Sequence, residues 1–226
     1  MSQTIDLKEL ERKAFRSTFQ DGLWDIFLGL LLLNMGVGAL LGGSGMSHLW
    51  SMVALSAFAG LVLLGFWAGK KFITTPRIGQ VRFGEQRKAK MKNLRAVLFV
   101  SALLGAIMAV LGWAAAAGGL PQWMSEIPIF LYVWPLQTIV VFGLGAYFLD
   151  VSRFYAYGVL YGLPLPLGVL LARNTDLSGT GSIAITFGVA GGVMVLIGVV
   201  LFVRFLREYP LPEHNPPSER ALNGNQ

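Results

Sequence analysis

Apolar positions along this chain fall into six long runs, separated by short polar or charged stretches. The runs lie at about 22–42, 49–69, 96–116, 129–149, 153–173 and 182–204. Each holds roughly 20 residues, enough at ~1.5 Å rise per residue to cover the ~30 Å hydrocarbon core of a bilayer. None shows the alternating pattern of ~10-residue barrel strands. Backbone N–H and C=O groups in lipid must be paired within their own segment, so the runs predict helices. The expected fold class is an all-α integral membrane protein, a compact bundle of six transmembrane helices over residues 22–206. The first run is longer than a signal-peptide core and follows a mixed-charge segment, so it reads as a retained span.

The polar remainder orients the bundle. Lys8, Arg12, Lys13 and Arg16 precede the first run, and nine basic residues lie between Lys70 and Arg95. Arg153 separates runs four and five, and Arg204, Arg207 and Arg220 follow the end of run six. With six crossings, 17 of the 18 basic residues share one side, and Arg173 is the exception. The positive-inside rule makes that side cytoplasmic, so both termini are expected inside. Trp24, Trp50, Trp67, Trp113 and Trp123 fall near the run ends, where amphipathic rings favour the membrane interface.

Composition adds exclusions. Hydrophobic residues make up 54% of the chain and charged ones 13%, against ~25% charged in soluble domains. The net charge of +6 follows from loop sorting and needs no nucleic-acid partner. Cysteine is absent, which removes disulfides, thiolate metal sites and cysteine nucleophiles. The plasma (inner) membrane of a bacterium or archaeon is the expected location. Residues 1–21 read as a cytoplasmic lead whose Thr4–Phe19 stretch suits an interfacial helix. Residues 207–226, rich in Pro, Asn and Glu, read as a disordered cytoplasmic tail.

Small residues mark two helix faces. Gly22, Asp25, Gly29 and Gly36 share a face of span one, and Gly181, Ala184, Gly188, Gly191 and Gly198 line span six. Such faces let helices approach closely, either within the bundle or against a protein subunit or second copy.

Three groups of residues are candidates for function. The first is a charge network at the cytoplasmic ends of the spans. An ionised Asp25 about one turn inside span one requires a partner, and Arg95, Arg153 and Arg204 lie at similar depth. Asp150 or Asp21 is expected to complete the network. The second is a cavity. Pro164 and Pro166 are expected to kink span five and Pro135 to bend span four, freeing carbonyls beside Asn34, Gln137, Tyr157 and Tyr161. The competing reading for these positions is interhelical packing. The third is the basic loop 70–95, where Arg77, Arg87, Lys88, Lys90 and Lys92 suit anionic lipid headgroups or an anionic ligand. Within that loop, Phe72–Thr74 and Gln80–Phe83 flank a turn-prone Pro-Arg-Ile-Gly and suggest a short hairpin, and a helix is expected from Arg87 into span three.

Other chemistry finds little support. Deep positions hold Asn34, Ser56, Ser101, Gln137, Thr138 and Thr186 but no ionisable side chain, which disfavours proton-coupled transport. His48 and His214 lack the neighbours a metal or haem site needs, and no phosphate loop or hydrolase motif occurs. No cofactor is expected. The leading expectation is a non-catalytic accessory, regulatory or lipid-associated membrane component. The alternatives are a small transporter or channel for an uncharged solute or lipid, and an intramembrane or interfacial enzyme.

Overall fold

The computed structural model describes Phe19 and residues 21–78, 85–116 and 129–210. Among these, all regular structure is helical. Helix α1 spans Leu23–Gly43, and α2 spans His48–Ala68 and runs on through a π-helical segment, Gly69–Thr74, and a last turn, Thr75–Ile78. Helix α3 spans Glu85–Ala116 and α4 spans Ile129–Leu149. Helices α5 (Arg153–Gly162) and α6 (Pro164–Asn174) form one rod broken at Leu163, and α7 spans Gly179–Glu208. The described residues thus form six helical rods, five of them long and apolar enough to cross a membrane: 23–43, 48–77, 131–149, 153–174 and 179–208. The interfacial helix suggested for Thr4–Phe19, the second strand of the hairpin and most of the C-terminal tail fall outside the described residues. The hairpin's first strand is corrected: Phe72–Thr74 is helical.

The extension of α2 beyond its apolar run has a local cause. Pro76 has no N–H to give to an ordinary helical ladder. The chain widens one turn earlier instead, and the Thr75 N–H reaches back five residues to the Lys70 carbonyl. Thr75 Oγ1 donates to the same carbonyl at 2.8 Å. Pro76 then occupies the first turn of the closing segment, where a missing N–H costs nothing.

The helices follow one another in the spatial order α2, α1, α7, α5/α6, α4, α3. The α1–α7 pair is the centre and is built on glycine. A methyl group at Gly29 would lie 2.8 Å from the Val195 backbone nitrogen, and one at Gly191 would lie 2.9 Å from the Gly29 carbonyl. Gly36 packs in the same way against Ala184 and Gly188. The two small-residue faces of spans one and six therefore meet each other at Gly29, Gly36, Ala184 and Gly191. At the flank, α2 rests on α1 and buries only Ser51 within His48–Ala68.

The proline break is closed by neighbouring side chains. The Leu163 N–H still reaches the Val159 carbonyl, but Pro164 has nothing to donate. The Trp134 indole N–H donates to the Tyr161 carbonyl at 2.8 Å, and Thr186 Oγ1 donates to the Pro164 carbonyl at 2.7 Å. Helix α4 runs unbroken through Pro135, with Thr138 Oγ1 donating to the Trp134 and Pro135 carbonyls.

Candidate functional site

Ionised groups gather at the start of α1. Gly22 enters the helix at φ +76°, a conformation that glycine adopts without strain. Its Cα also lies against Gly198 and Phe202 of α7, leaving no room for a Cβ. This turn drives the two carboxylates, Asp21 and Asp25, into the protein, and both are fully buried. Asp21 precedes the helix and Asp25 lies in its first turn.

Each carboxylate has its own cation. Lys70 Nζ lies 2.7 Å from Asp21 Oδ2. Thr74 Oγ1 donates to the same oxygen at 2.7 Å, while Asp21 Oδ1 accepts the Leu23 N–H at 3.2 Å. Lys70 and Thr74 both come from the π-helical segment, so that irregular turn supplies the Asp21 pocket. Arg153 Nη1 lies 3.3 Å from both oxygens of Asp25, and Arg153 Nη2 donates to the Phe19 carbonyl at 2.5 Å. Arg153 opens α5 after a tight turn in which Asp150 takes φ +57°. An aspartate tolerates that left-handed conformation better than most residues. The result is a neutral clasp joining α1, α2 and α5. Aromatic rings cover it: Phe19 stacks on Trp24, Trp24 meets Phe66, and Phe19 meets Phe154 edge-on. Because the carboxylates are buried, removal of either cation would leave an uncompensated charge.

Of the expected charge network, the structure brings Asp25 and Arg153 together. Arg204 instead pairs with Glu208 on the exposed side of α7 at 2.6 Å, and Arg95 is exposed on α3. Asp150 lines a cleft of about 470 Å³ with Arg153, Ser152, Tyr147 and Tyr155. Lys70 and Thr74 were absent from the expected network. Their signal was weak, because Lys70 follows the apolar run and only the continuation of the helix turns it back toward Asp21.

The cavity candidates lie on separate seams. Asn34 Nδ2 donates to the Leu55 carbonyl between α1 and α2 at 3.3 Å. Gln137 Nε2 donates to the Ser101 carbonyl and hydroxyl between α4 and α3, at 3.1 and 3.2 Å. The Tyr161 hydroxyl donates to the Leu28 carbonyl between α5 and α1 at 2.5 Å. Tyr157 is buried in the core, and its hydroxyl has no partner among the described residues. Pro164 packs against α7 through Thr186, while Pro166 lies in the first turn of α6. Asn34, Gln137 and Tyr161 thus each fasten a different seam, while Tyr157 and Tyr161 both meet the Phe142 ring.

Among the basic candidates, Arg77 stands at the end of the α2 extension. Its Nε and Nη1 are shut away from solvent and find no hydrogen-bond acceptor among the described residues. Lys92 is exposed on α3. Arg87, Lys88 and Lys90 lie on the first turns of α3, and their side chains fall outside the description. Among the described residues, no group of three or more His, Asp or Glu is placed to hold a metal ion. No family model, curated protein or solved structure matches this chain.

Proposed function

We propose that this protein is a six-span component of a prokaryotic plasma membrane, with both termini in the cytoplasm, and that it serves as a non-catalytic accessory bundle that engages anionic lipid headgroups at its cytoplasmic face. The orientation rests on the sorting of basic residues. The deep polar side chains support a packed bundle over a solute path, because Asn34, Gln137 and Tyr161 each bond across a different helix seam.

The observation that carries the lipid reading is Arg77. A guanidinium keeps its charge and presents five donors in a planar fork suited to phosphate. Desolvated donors are costly without an acceptor, and Nε and Nη1 have none among the described residues, which supports an anion there. Position selects the anion: the end of α2, beside Lys70 and Lys71, is where headgroup phosphates lie under this topology. Lys71 is fastened there over the Trp67 ring, 4.7 Å from its centroid, as expected for an interfacial anchor.

The test is native mass spectrometry of the purified protein titrated with phosphatidylglycerol and with phosphatidylcholine. The wild type should prefer the anionic lipid, and Arg77→Gln should weaken that preference by about tenfold or more, the worth of charge-assisted hydrogen bonds. Arg77→Lys should restore only part of it, because the charge returns without the fork. An Arg77→Gln protein with the wild-type preference would remove the basis of the proposal.

A further inference from the structure

A groove of about 460 Å³ runs between α3 and α4. We infer that it seats an acyl chain of an anionic phospholipid from the cytoplasmic leaflet, with Lys92 at its mouth beside the phosphate. The inference rests on the six-span orientation proposed above and is independent of Arg77.

The walls are aliphatic. Ala96, Val97, Val100 and Leu104 line one side, and Leu136 and Val140 are among those lining the other. The polar residues in the groove, Gln137 and Ser101, are bonded to each other, so the groove presents hydrocarbon to its occupant. Its dimensions match one leaflet. From Ala96 to Leu104 the described lining rises about 12 Å along α3, and from Val133 to Leu144 about 16 Å along α4. Half of a ~30 Å hydrocarbon core is about 15 Å. One lipid chain fits the depth of this described lining.

Charge fixes the end at which the lipid enters. Ala96 and Leu144 mark the end of the groove nearest the cytoplasm in the proposed topology. Lys92 and Asn93 stand four residues before Ala96 and Val97, one helical turn below them, and both are exposed. A lysine at that depth meets a headgroup phosphate, and its long stem follows the chain into the interface.

The test fills the groove from either wall. Val100 and Leu136 are 62% and 65% exposed, so Val100→Trp and Leu136→Trp add bulk to the groove and leave the core unchanged. Val200→Trp, at an exposed site on α7, is the control. Each protein is taken through prolonged detergent exchange. Retained phospholipid is measured as phosphorus per protein and identified by mass spectrometry. The wild type and Val200→Trp should retain a fixed ratio enriched in anionic lipid. Both groove variants should lose that fraction with an unchanged size-exclusion profile, and Lys92→Gln should keep a lipid but lose the anionic enrichment. If one groove variant fails to fold, the variant on the opposite wall decides. Equal retention in the groove variants and Val200→Trp overturns the inference. A loss caused by Arg77→Gln and not by the groove variants would sink the groove and leave the Arg77 reading intact. The reverse pattern would do the opposite.

Discussion

Two adjacent glycines in α7 should respond in opposite ways to the same substitution. A methyl group at Gly191 would lie 2.8 Å from Leu33 Cγ and 2.9 Å from both the Gly29 carbonyl oxygen and the Leu33 backbone nitrogen. Backbone cannot swing aside as a side-chain tip can, so α1 and α7 must separate along their seam. Overpacking of this kind costs about 1–3 kcal/mol. Replacing a mid-helix glycine by alanine returns up to about 1 kcal/mol of helix propensity, so Gly191→Ala should be net destabilising by about 1–2 kcal/mol. At Gly192 nothing lies within 4 Å of the added methyl. Only the propensity gain acts there, and Gly192→Ala should be neutral or stabilising by up to about 1 kcal/mol. For a chain of this size the two variants should differ by about 4–8 °C in apparent melting temperature. The assay is the monodisperse fraction surviving a heating series in detergent, at one fixed heating rate so that irreversible loss is compared like for like. Equal melting of the two variants, or a less stable Gly192→Ala, would refute close α1–α7 contact as the centre of the fold.

The buried clasp and the proline break make further predictions, read in the same heating series or by limited proteolysis. Arg153→Met should destabilise by about 2–4 kcal/mol because it strands the Asp25 carboxylate, and adding Asp25→Asn should recover most of that loss. Asp21→Asn should release Lys70 and Thr74 together, and a trypsin site at Lys70 should open in Asp21→Asn but stay closed in Thr74→Val. Trp134→Phe, which keeps an aromatic ring of smaller size but removes the indole N–H bonded to the Tyr161 carbonyl, should cost about 1 kcal/mol or more, whereas Tyr132→Phe at an exposed site should cost nothing measurable.

Helices were easier to foresee than the contacts between them. The described helix at Ile129–Leu149 coincides with its apolar run, and α1 is displaced from its run by one residue. Lipid imposes that legibility, since a span must be apolar and long enough. The α2 extension was hidden because Lys70 and Lys71 end the apolar run although the helix continues through a π-helical turn. Asp25 could be read as needing a cation, because a carboxylate inside a span is costly alone. Which arginine answers it depends on the turn at Asp150, which hydropathy does not encode. Asp21, just outside its run, was one of two candidates to complete the network, and the glycine turn at 22 buries it. The prolines did signal a broken rod at Leu163. That Trp134 and Thr186 would bond the Tyr161 and Pro164 carbonyls on either side of the break depends on side chains from two other helices, beyond the reach of periodicity.

Orientation underlies both lipid proposals, and the absence of native cysteine makes it directly measurable. Single cysteines at Ser44, Lys92, Ser178 and Tyr209 can be labelled with an impermeant maleimide in intact cells and in inverted membrane vesicles. All four positions are exposed. Ser44→Cys and Ser178→Cys should label from outside the cell, and Lys92→Cys and Tyr209→Cys only from the cytoplasmic side. Labelling of Lys92→Cys and Ser178→Cys from the same side would contradict the six-span topology and, with it, the assignment of the groove to the cytoplasmic leaflet.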